Sequence, residues 1–552
     1  MSTASLAAPR LTVHHPQGDP PVPATRQPAR RPPSLEGRTV YLVDTRFDDG
    51  VELLKQVQRW FHERMPGVTT RLVQLSSYYG QDDPALWTEI REKGHAAIVG
   101  VGHCSTCAPA VSTHAITLET QYGVPTVALH TAAFRRVVQS VVRVAGLPQA
   151  PLVFVPQPVM GKGEDELRAY VHGADPVTGR PVMEEVIEAL TRPLPASADV
   201  APVPHRTPRL LPPDSEDRLH EAFAQRGWTD HLPIVLPTEE RVAAMLAGTR
   251  RRPDEVVGRL QPTANRGAWQ FTVERVAVNA VMAGCRPESL PVLLALAASG
   301  ISARGSTSSS ASAMVVVNGP IRRQIGMNGG LGAMGPYNQA NATIGRAYGL
   351  LSQNLQGGSV PGDTFMGSLG NNYTYNSLTF AENEERSPWE PLHVQKGFAA
   401  DASTVSVFHG CRSTTFGLGL RRAHWREHVR DMLLGTDAIT APVLLLDPIA
   451  ARQFVERGGF VRKAALIRWL HETAEMPAAR YWDLQLVQNY VHPRATAGQS
   501  PKSRYLDTPP DAPVRVFEER DIHVVVVGGE ANGYWQMMGA HHKATVSIDD
   551  WR

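Results

Sequence analysis

From Thr39 to Val155 the chain alternates short apolar runs with stretches of helical spacing. Four runs are almost unbroken, Val40 to Val43, Ala96 to Val101, Thr126 to His130 and Leu152 to Val155, and a more mixed extended run spans Thr69 to Leu75. Helical stretches separate them at Val51 to Arg64, Pro84 to Lys93, Ala108 to Tyr122 and Ala132 to Ala145. Strands without polar alternation are buried on both faces, and the intervening helices supply the crossovers that parallel pairing requires. The pattern predicts an α/β fold, with a flavodoxin-like or Rossmann-like parallel sheet over residues 37–192.

Composition bounds the rest. Residues 1–36 carry eight prolines and few aliphatic side chains, which predicts a disordered tail. Seven prolines between Pro193 and Pro213 predict a semi-rigid linker over 193–213. Residues 214–552 mix helical stretches with the apolar strands Ala313 to Val317, Pro442 to Leu446 and Ile522 to Val527. They predict a larger α/β or α+β domain that completes the substrate site, with no repeat of fixed period. Hydrophobic residues make up 42% of the chain, enough to build cores and to exclude disorder throughout. Lys and Arg number 55 against 53 Asp and Glu, with no basic stripe, so nucleic acid is not an expected partner. No apolar run approaches the roughly 18 residues of a membrane span. A cytoplasmic protein that forms a homo-oligomer is expected, and its four cysteines are too few for a disulfide framework.

In a reducing compartment a close cysteine pair points to redox or metal chemistry. Cys104 and Cys107 follow the buried run Ile98-Val99-Gly100-Val101-Gly102-His103 and open the next helical stretch. Unpaired N–H groups and the positive end of the helix dipole favour a thiolate at such a turn. His103 is placed to add positive charge or to carry a proton, and His114 lies within the helical stretch that the cysteines open.

Cys104-Ser105-Thr106-Cys107, then Thr113-His114 and Tyr122-Gly123-Val124-Pro125-Thr126, resemble the UGSC family of (seleno)proteins, where selenocysteine or cysteine begins a U-Gly-Ser-Cys motif. Further blocks resemble long two-domain members: Gly227-Trp228-Thr229-Asp230, Val278 to Glu288, Asn318-Gly319-Pro320-Ile321-Arg322 and Glu382 to Pro391. The N-terminal domain is more distantly similar to the selenoprotein B component of glycine reductase. The resemblance implies an α/β domain with a nucleophilic chalcogen at Cys104 and a partner thiol at Cys107. Ser105 and Thr106 depart from the motif, standing where the family has Gly and Ser.

Other candidates lie in the second part. Cys285 closes an apolar helical stretch before Arg286-Pro287, and His409-Gly410-Cys411-Arg412 combines a thiol with imidazole and guanidinium. Gly305 to Ser310, Asn318, Arg322 and Arg323 suit a carboxylate or phosphate, and Glu382 with its acidic neighbours suits acid–base work. His541 and His542 are adjacent, so in an extended segment they point opposite ways.

Together these readings predict a thiol-dependent oxidoreductase or sulfur-transfer enzyme of small-molecule, including secondary, metabolism. Cys104 attacks, Cys107 resolves, His103, His114, Cys285 and Cys411 assist, and Arg322, Arg323, Asn318 and Glu382 hold an anionic substrate. The expected reductant is an external thiol or dithiol, delivered by a reductant protein. The alternative is a metal-dependent lyase or oxidoreductase whose bound transition metal is held by Cys104, Cys107, Cys285, Cys411 and His409.

Overall fold

A computed structural model of the chain describes residues 9–22, 26–195, 206–260, 268–305, 308–309, 311–355 and 367–552. The strands of the first domain are β1 (Thr39–Asp44), β2 (Thr69–Gln74), β3 (Ala96–Gly102), β4 (Thr126–Thr131) and β5 (Leu152–Val155). They form one sheet in the order β2-β1-β3-β4-β5, every pair parallel. One face is covered by α1 (Gly50–Arg64), α5 (Glu164–His172) and α6 (Val182–Thr191), through Leu53, Phe61, Leu167 and Val186. The other is covered by α2 (Pro84–Lys93) and α3 (Cys107–Thr117), through Trp87, Ile90, Val111 and Ala115, with α4 (Arg135–Val144) beside them. Burial on both faces explains the unbroken apolar runs; all seven residues of β3 are buried. This is the flavodoxin-like doubly wound order, in which the chain changes its direction of sheet growth between β1 and β3. Loops leaving the carboxyl ends of those two strands diverge there and leave a crevice.

The N-terminal segment is ordered where composition predicted a tail. Residues 9–22 lie across the second domain: Val13 is fully buried in its core, and Leu11 N donates to Asp214 O at 2.8 Å. Residues 26–36 return to the first domain, where Arg31 pairs with Glu119, both side chains almost completely buried. Glu119 also accepts from Ala29 N at 2.9 Å and Thr126 N at 2.7 Å. The prolines make this a strap: their fixed backbone angles lower the entropy lost on ordering an extended segment. Residues 1–8, 23–25 and 196–205 of the predicted tail and linker lie outside the described residues.

Among the described residues the second domain holds two small antiparallel pairs and one large sheet. The small pairs are β6 (Val256–Leu260) with β7 (Trp269–Thr272), and β12 (Glu475–Pro477) with β13 (Pro513–Arg515). The large sheet contains β8 (Ser312–Asn318), β9 (Thr379–Ala381), β10 (Thr404–Leu418), β11 (Pro442–Leu446), β14 (His523–Val526) and β15 (Tyr534–Ser547). Its order is β14-β11-β15-β10-β8-β9. From either edge it reads the same way: a parallel pair, then a long strand antiparallel to its neighbours. Residues from all six strands, among them Val316, Phe380, Phe408, Leu445, Val525 and Met538, form one core. Asn383 N donates to Val526 O at 2.8 Å, so the sheet curls until its edges meet. Outside, each half has its own helical cover. Val315 and Val317 pack on helices 273–283, 290–298 and 339–354; Leu444 and Val524 pack on 425–434, 448–456 and 463–473.

The two halves also match in detail. Asn318-Gly319-Pro320-Ile321 follows β8 and Asp447-Pro448-Ile449 follows β11. Arg322 bonds Glu384 after β9 and Arg452 bonds Glu530 after β14, each at 2.6 Å. No fixed period marks this two-fold in the sequence, because the connections 319–378 and 447–522 differ in length.

Replacing Arg31 by Ala leaves the Glu119 carboxylate buried without its cation. The expected cost is about 3–5 kcal/mol, read as a fall in the urea midpoint; an unchanged midpoint would show that the strap does not secure the first domain.

Candidate active site at the domain interface

The thiol pair sits where β3 hands over to α3. A Cβ on Gly102 would lie 2.1 Å from His130 Nδ1 and 2.9 Å from the Ala108 Cα, so the missing side chain lets α3 start directly against the sheet. Ala108 N donates to Cys104 O at 3.0 Å, so helical hydrogen bonding already begins at Cys104. The Cys104 sulfur accepts from Cys107 N at 2.9 Å and lies 3.3 Å from Thr106 Oγ1; Cys104 N in turn donates to Cys107 Sγ at 3.0 Å. Both thiols are free. Cys104 is 7% exposed and Cys107 is fully buried.

Their electrostatics differ in sign. Burial pushes the Cys104 thiol up, but hydrogen bonds from the Cys107 thiol, the Thr106 hydroxyl and the N–H groups of both residues outweigh it, leaving Cys104 below the usual thiol range. Cys107 is pushed well above that range by burial, by its hydrogen bond to Cys104 and by the charge there. Cys104 therefore gives up its proton more readily than Cys107, an asymmetry of the kind that thiol–disulfide exchange uses.

Aromatic rings roof the sulfurs. Phe47 comes from the loop after β1, Tyr79 from the loop after β2 and Tyr490 from the second domain. Ring centroids are 5.3 Å apart for Phe47 and Tyr79, and 6.0 Å from each to Tyr490. The Tyr79 hydroxyl lies 2.9 Å from Thr106 Oγ1, joining the roof to the thiol turn. His103 and His114 hold this roof. His103 Nε2 bonds Phe47 O at 3.1 Å and His114 Nε2 bonds Tyr79 O at 2.8 Å, each a ring N–H donated to a carbonyl. Burial lowers the pKa of both, so they stand as neutral positioning groups, where the sequence suggested a positive charge or proton carrier.

The second domain closes over the crevice. Asp48 accepts from Asn489 Nδ2 and Gln485 Nε2, each at 2.6 Å, and Ser77 Oγ donates to Gln499 at 2.7 Å. Arg494 lies 3.9 Å over the Tyr78 ring. Ser105 N donates to Ser308 Oγ at 3.2 Å, so the serine-rich loop touches the thiol turn itself. Ser306, Thr307 and Ser310 of that loop lie outside the described residues. The adjacent Ser309 Oγ accepts from Arg412 at 2.9 Å, and His409 faces His541 across the β10–β15 pair.

Other predicted residues stand apart from the thiols. Asn318 ends β8 at the opposite end from the serine loop, about 20 Å of extended chain away. There Asn318 Nδ2 donates to Glu382 at 2.6 Å, and buried Arg322 is committed to Glu384, Glu385 and the Glu382 carbonyl. Arg323 is exposed. Asn318, Glu382 and Arg322 fasten β8 to β9, and Arg322, already saturated, does not serve as an anion holder for this site. Cys285 donates to Thr343 O at 3.3 Å beside the helical core, and Cys411 lies inside the curled sheet. Burial raises both thiols to about 12, so neither assists Cys104. The set Cys104, Cys107, Cys285, Cys411 and His409 is thus dispersed, and among the described residues no group of three or more His, Cys, Asp or Glu is assembled to hold a metal. His541 and His542 diverge as extended geometry requires, toward Ile439 O and Thr545 Oγ1.

Three contributors were not read from sequence. Tyr79 lies in the loop after β2 and Asp44 ends β1, both at the carboxyl edge of the sheet, where the switch-point rule would have directed attention. Asp44 is buried, and burial raises its carboxyl to about 6 although Arg46 N and Gln74 Nε2 both donate to it. Tyr490 carries no local signal; only the folding of the second domain brings it to Cys104.

A doubly wound α/β domain with a free Cys-x-x-Cys pair at its switch point, roofed by a second domain, defines a two-domain thiol protein. Residues 12–191, most of the strap and the thiol domain, match the model of the UGSC family. The match ends before the curled sheet. No curated protein and no solved structure matches the chain, and the likeness to the glycine reductase selenoprotein gains no support from these comparisons.

With less than one equivalent of iodoacetamide at pH 7, peptide mapping is expected to find the label on Cys104, with Cys107, Cys285 and Cys411 unmodified. Preferential labelling of any other cysteine would contradict the electrostatic assignment. Gly102→Ala is expected to destabilise the domain by about 2–4 kcal/mol through overpacking and backbone displacement, measured by thermal unfolding.

Proposed function

We propose that the protein is a thiol-dependent enzyme of small-molecule metabolism, with Cys104 as nucleophile and Cys107 as resolving thiol. The observation that carries this reading is the asymmetry of two free thiols in mutual hydrogen-bond contact: one held below the ordinary thiol range at a helix start, the other held well above it. A structural pair has no need of opposed protonation, whereas an attacking and a resolving thiol depend on it.

The chemistry follows from the atoms. The Cys104 thiolate attacks a substrate R–X, forming Cys104–S–R and releasing X⁻ with the bonding pair. Cys107 gives up its proton and attacks the Cys104 sulfur; the S–S bond forms and R leaves with its electron pair, protonated to R–H. The substrate gains two electrons, and the thiol pair becomes a disulfide that an external dithiol, free or on a reductant protein, must reduce. Such a cycle suits an R group that stabilises negative charge. Where R departs through sulfur, the same steps reduce an S–X bond of the substrate to a thiol and HX. Thr106 is positioned to tune the thiolate, while the aromatic roof excludes water and strengthens each hydrogen bond beneath it.

A small symmetrical disulfide tests the division of roles. One equivalent added to the reduced wild-type protein is expected to yield an internal Cys104–Cys107 disulfide with no retained adduct by intact mass. Cys107→Ser is expected to keep a mixed disulfide on Cys104, and a wild-type protein that also kept the adduct would remove the resolving role. Thr106→Val deletes one hydrogen bond to the thiolate, worth about 1.5–3 kcal/mol. It is expected to raise the Cys104 pKa by about 1–2 units and to slow alkylation at pH 7 by about tenfold; an unchanged rate would exclude Thr106 from the site.

A further inference from the structure

Behind Tyr490 lies a cavity of about 220 Å³, lined by that residue together with Arg494, His541, Lys502, Glu518 and Asp521 among others. It is small beside the roughly 300–1,000 Å³ of sites for drug-sized ligands. Tyr490 is a shared wall: it lines the cavity and also packs against the cluster of Phe47, Tyr79, Cys104 and Cys107. Most of the charge around the cavity is already compensated. Glu518 is held by Lys502 at 2.9 Å and Arg504 at 3.0 Å, and Asp521 stands 3.9 Å from Arg520.

Two cations are not. The Arg494 side chain makes no ion pair or hydrogen bond among the described residues, its guanidinium lying over the face of Tyr78. Lys543, next in the chain to His541 and His542 on β15, likewise has no carboxylate partner among the described residues. Its ammonium is depressed first by burial and then by the charge of Arg494, and it depresses His409 and His541 in turn. Arg494 and Lys543 are therefore like charges close enough to repel, with Arg494 in the cavity wall and Lys543 exposed on β15 outside it. A guanidinium fixed flat against a ring offers two parallel N–H donors to a carboxylate.

We propose that this cavity and its rim bind the negative end of the substrate, which is a small electrophile bearing a carboxylate, with Arg494 as its principal holder and Lys543 as its second charge. This rests on Cys104 being the nucleophile, and it moves the anion-holding role from Arg322 and Arg323 to residues beside the thiols.

Iodoacetate and iodoacetamide present the same reactive carbon with and without a carboxylate. Their second-order rates at Cys104 are compared at pH 7 and low salt, as a ratio normalised to that of a free thiol. The wild-type ratio is expected to favour iodoacetate by about tenfold and to fall as salt is added. In Arg494→Gln and Lys543→Gln the ratio is expected to drop toward that of the free thiol, with the iodoacetamide rate within about twofold of wild type. Arg323→Gln, at the far end of β8, is expected to leave the ratio unchanged. A wild-type ratio equal to that of the free thiol, or one indifferent to both Arg494→Gln and Lys543→Gln, overturns the carboxylate assignment while leaving Cys104 as nucleophile. Failure of Cys104 to react with either reagent overturns the underlying thiol reading instead.

Discussion

The hydrogen bond from the Cys107 N–H to the Cys104 sulfur holds one side chain at the junction of a strand and a helix, and the rest of the site is arranged around that junction. It forms because α3 starts directly against the sheet, and that approach requires the bare backbone of Gly102. The same turn gives Cys104 the unsatisfied donors of a helix start and leaves Cys107 facing the interior. Two chemically identical residues three positions apart thereby acquire opposite proton affinities. Phe47 and Tyr79 come from the loops after β1 and β2, and His103 and His114 fix those loops by their carbonyls. That part of the roof is therefore tied to the first domain, and Tyr490 joins it from the second.

The second domain contributes differently from its two halves. The paired halves repeat a strand, a turn rich in Asn, Asp and Pro, and an Arg–Glu clasp, and those clasps are structural. What reaches the thiols breaks that symmetry: the serine loop before β8, and the helical segment 485–499 inserted between β11 and β14. The proposed carboxylate holder Arg494 belongs to that segment. An anionic substrate held there would meet Cys104 from the side that the UGSC match does not cover, and under the proposed function the first domain would supply the nucleophile and the second the selectivity.

Much of the first domain was legible because its strands are buried on both faces and its helices have ordinary lengths. The predicted runs at Ala96 to Val101 and Thr126 to His130 lie within β3 and β4 with only end residues displaced. The position of Cys104 and Cys107 at a strand-to-helix turn followed from the same pattern. The strap was misread because proline content was taken as disorder, although proline equally suits a segment laid extended across a surface. Arg322 and Glu382 were misread because a charged cluster has the same composition whether it clasps two strands or holds a ligand; only its saturation by internal partners distinguishes the cases. Tyr490 and Arg494 were invisible, being brought to Cys104 by contacts between distant parts of the chain.

The central claim is that Cys104 loses its proton below the ordinary thiol range while Cys107 keeps its own well above it. Thiolate absorbance near 240 nm, followed from pH 4 to 10 in the reduced protein and in Cys104→Ser, measures it directly. The account predicts a step of one thiolate below the ordinary thiol pKa of about 8.5, absent from the variant, with the remaining cysteines silent until strongly alkaline pH. A wild-type curve with no step below pH 8, or the same step surviving in Cys104→Ser, would contradict it.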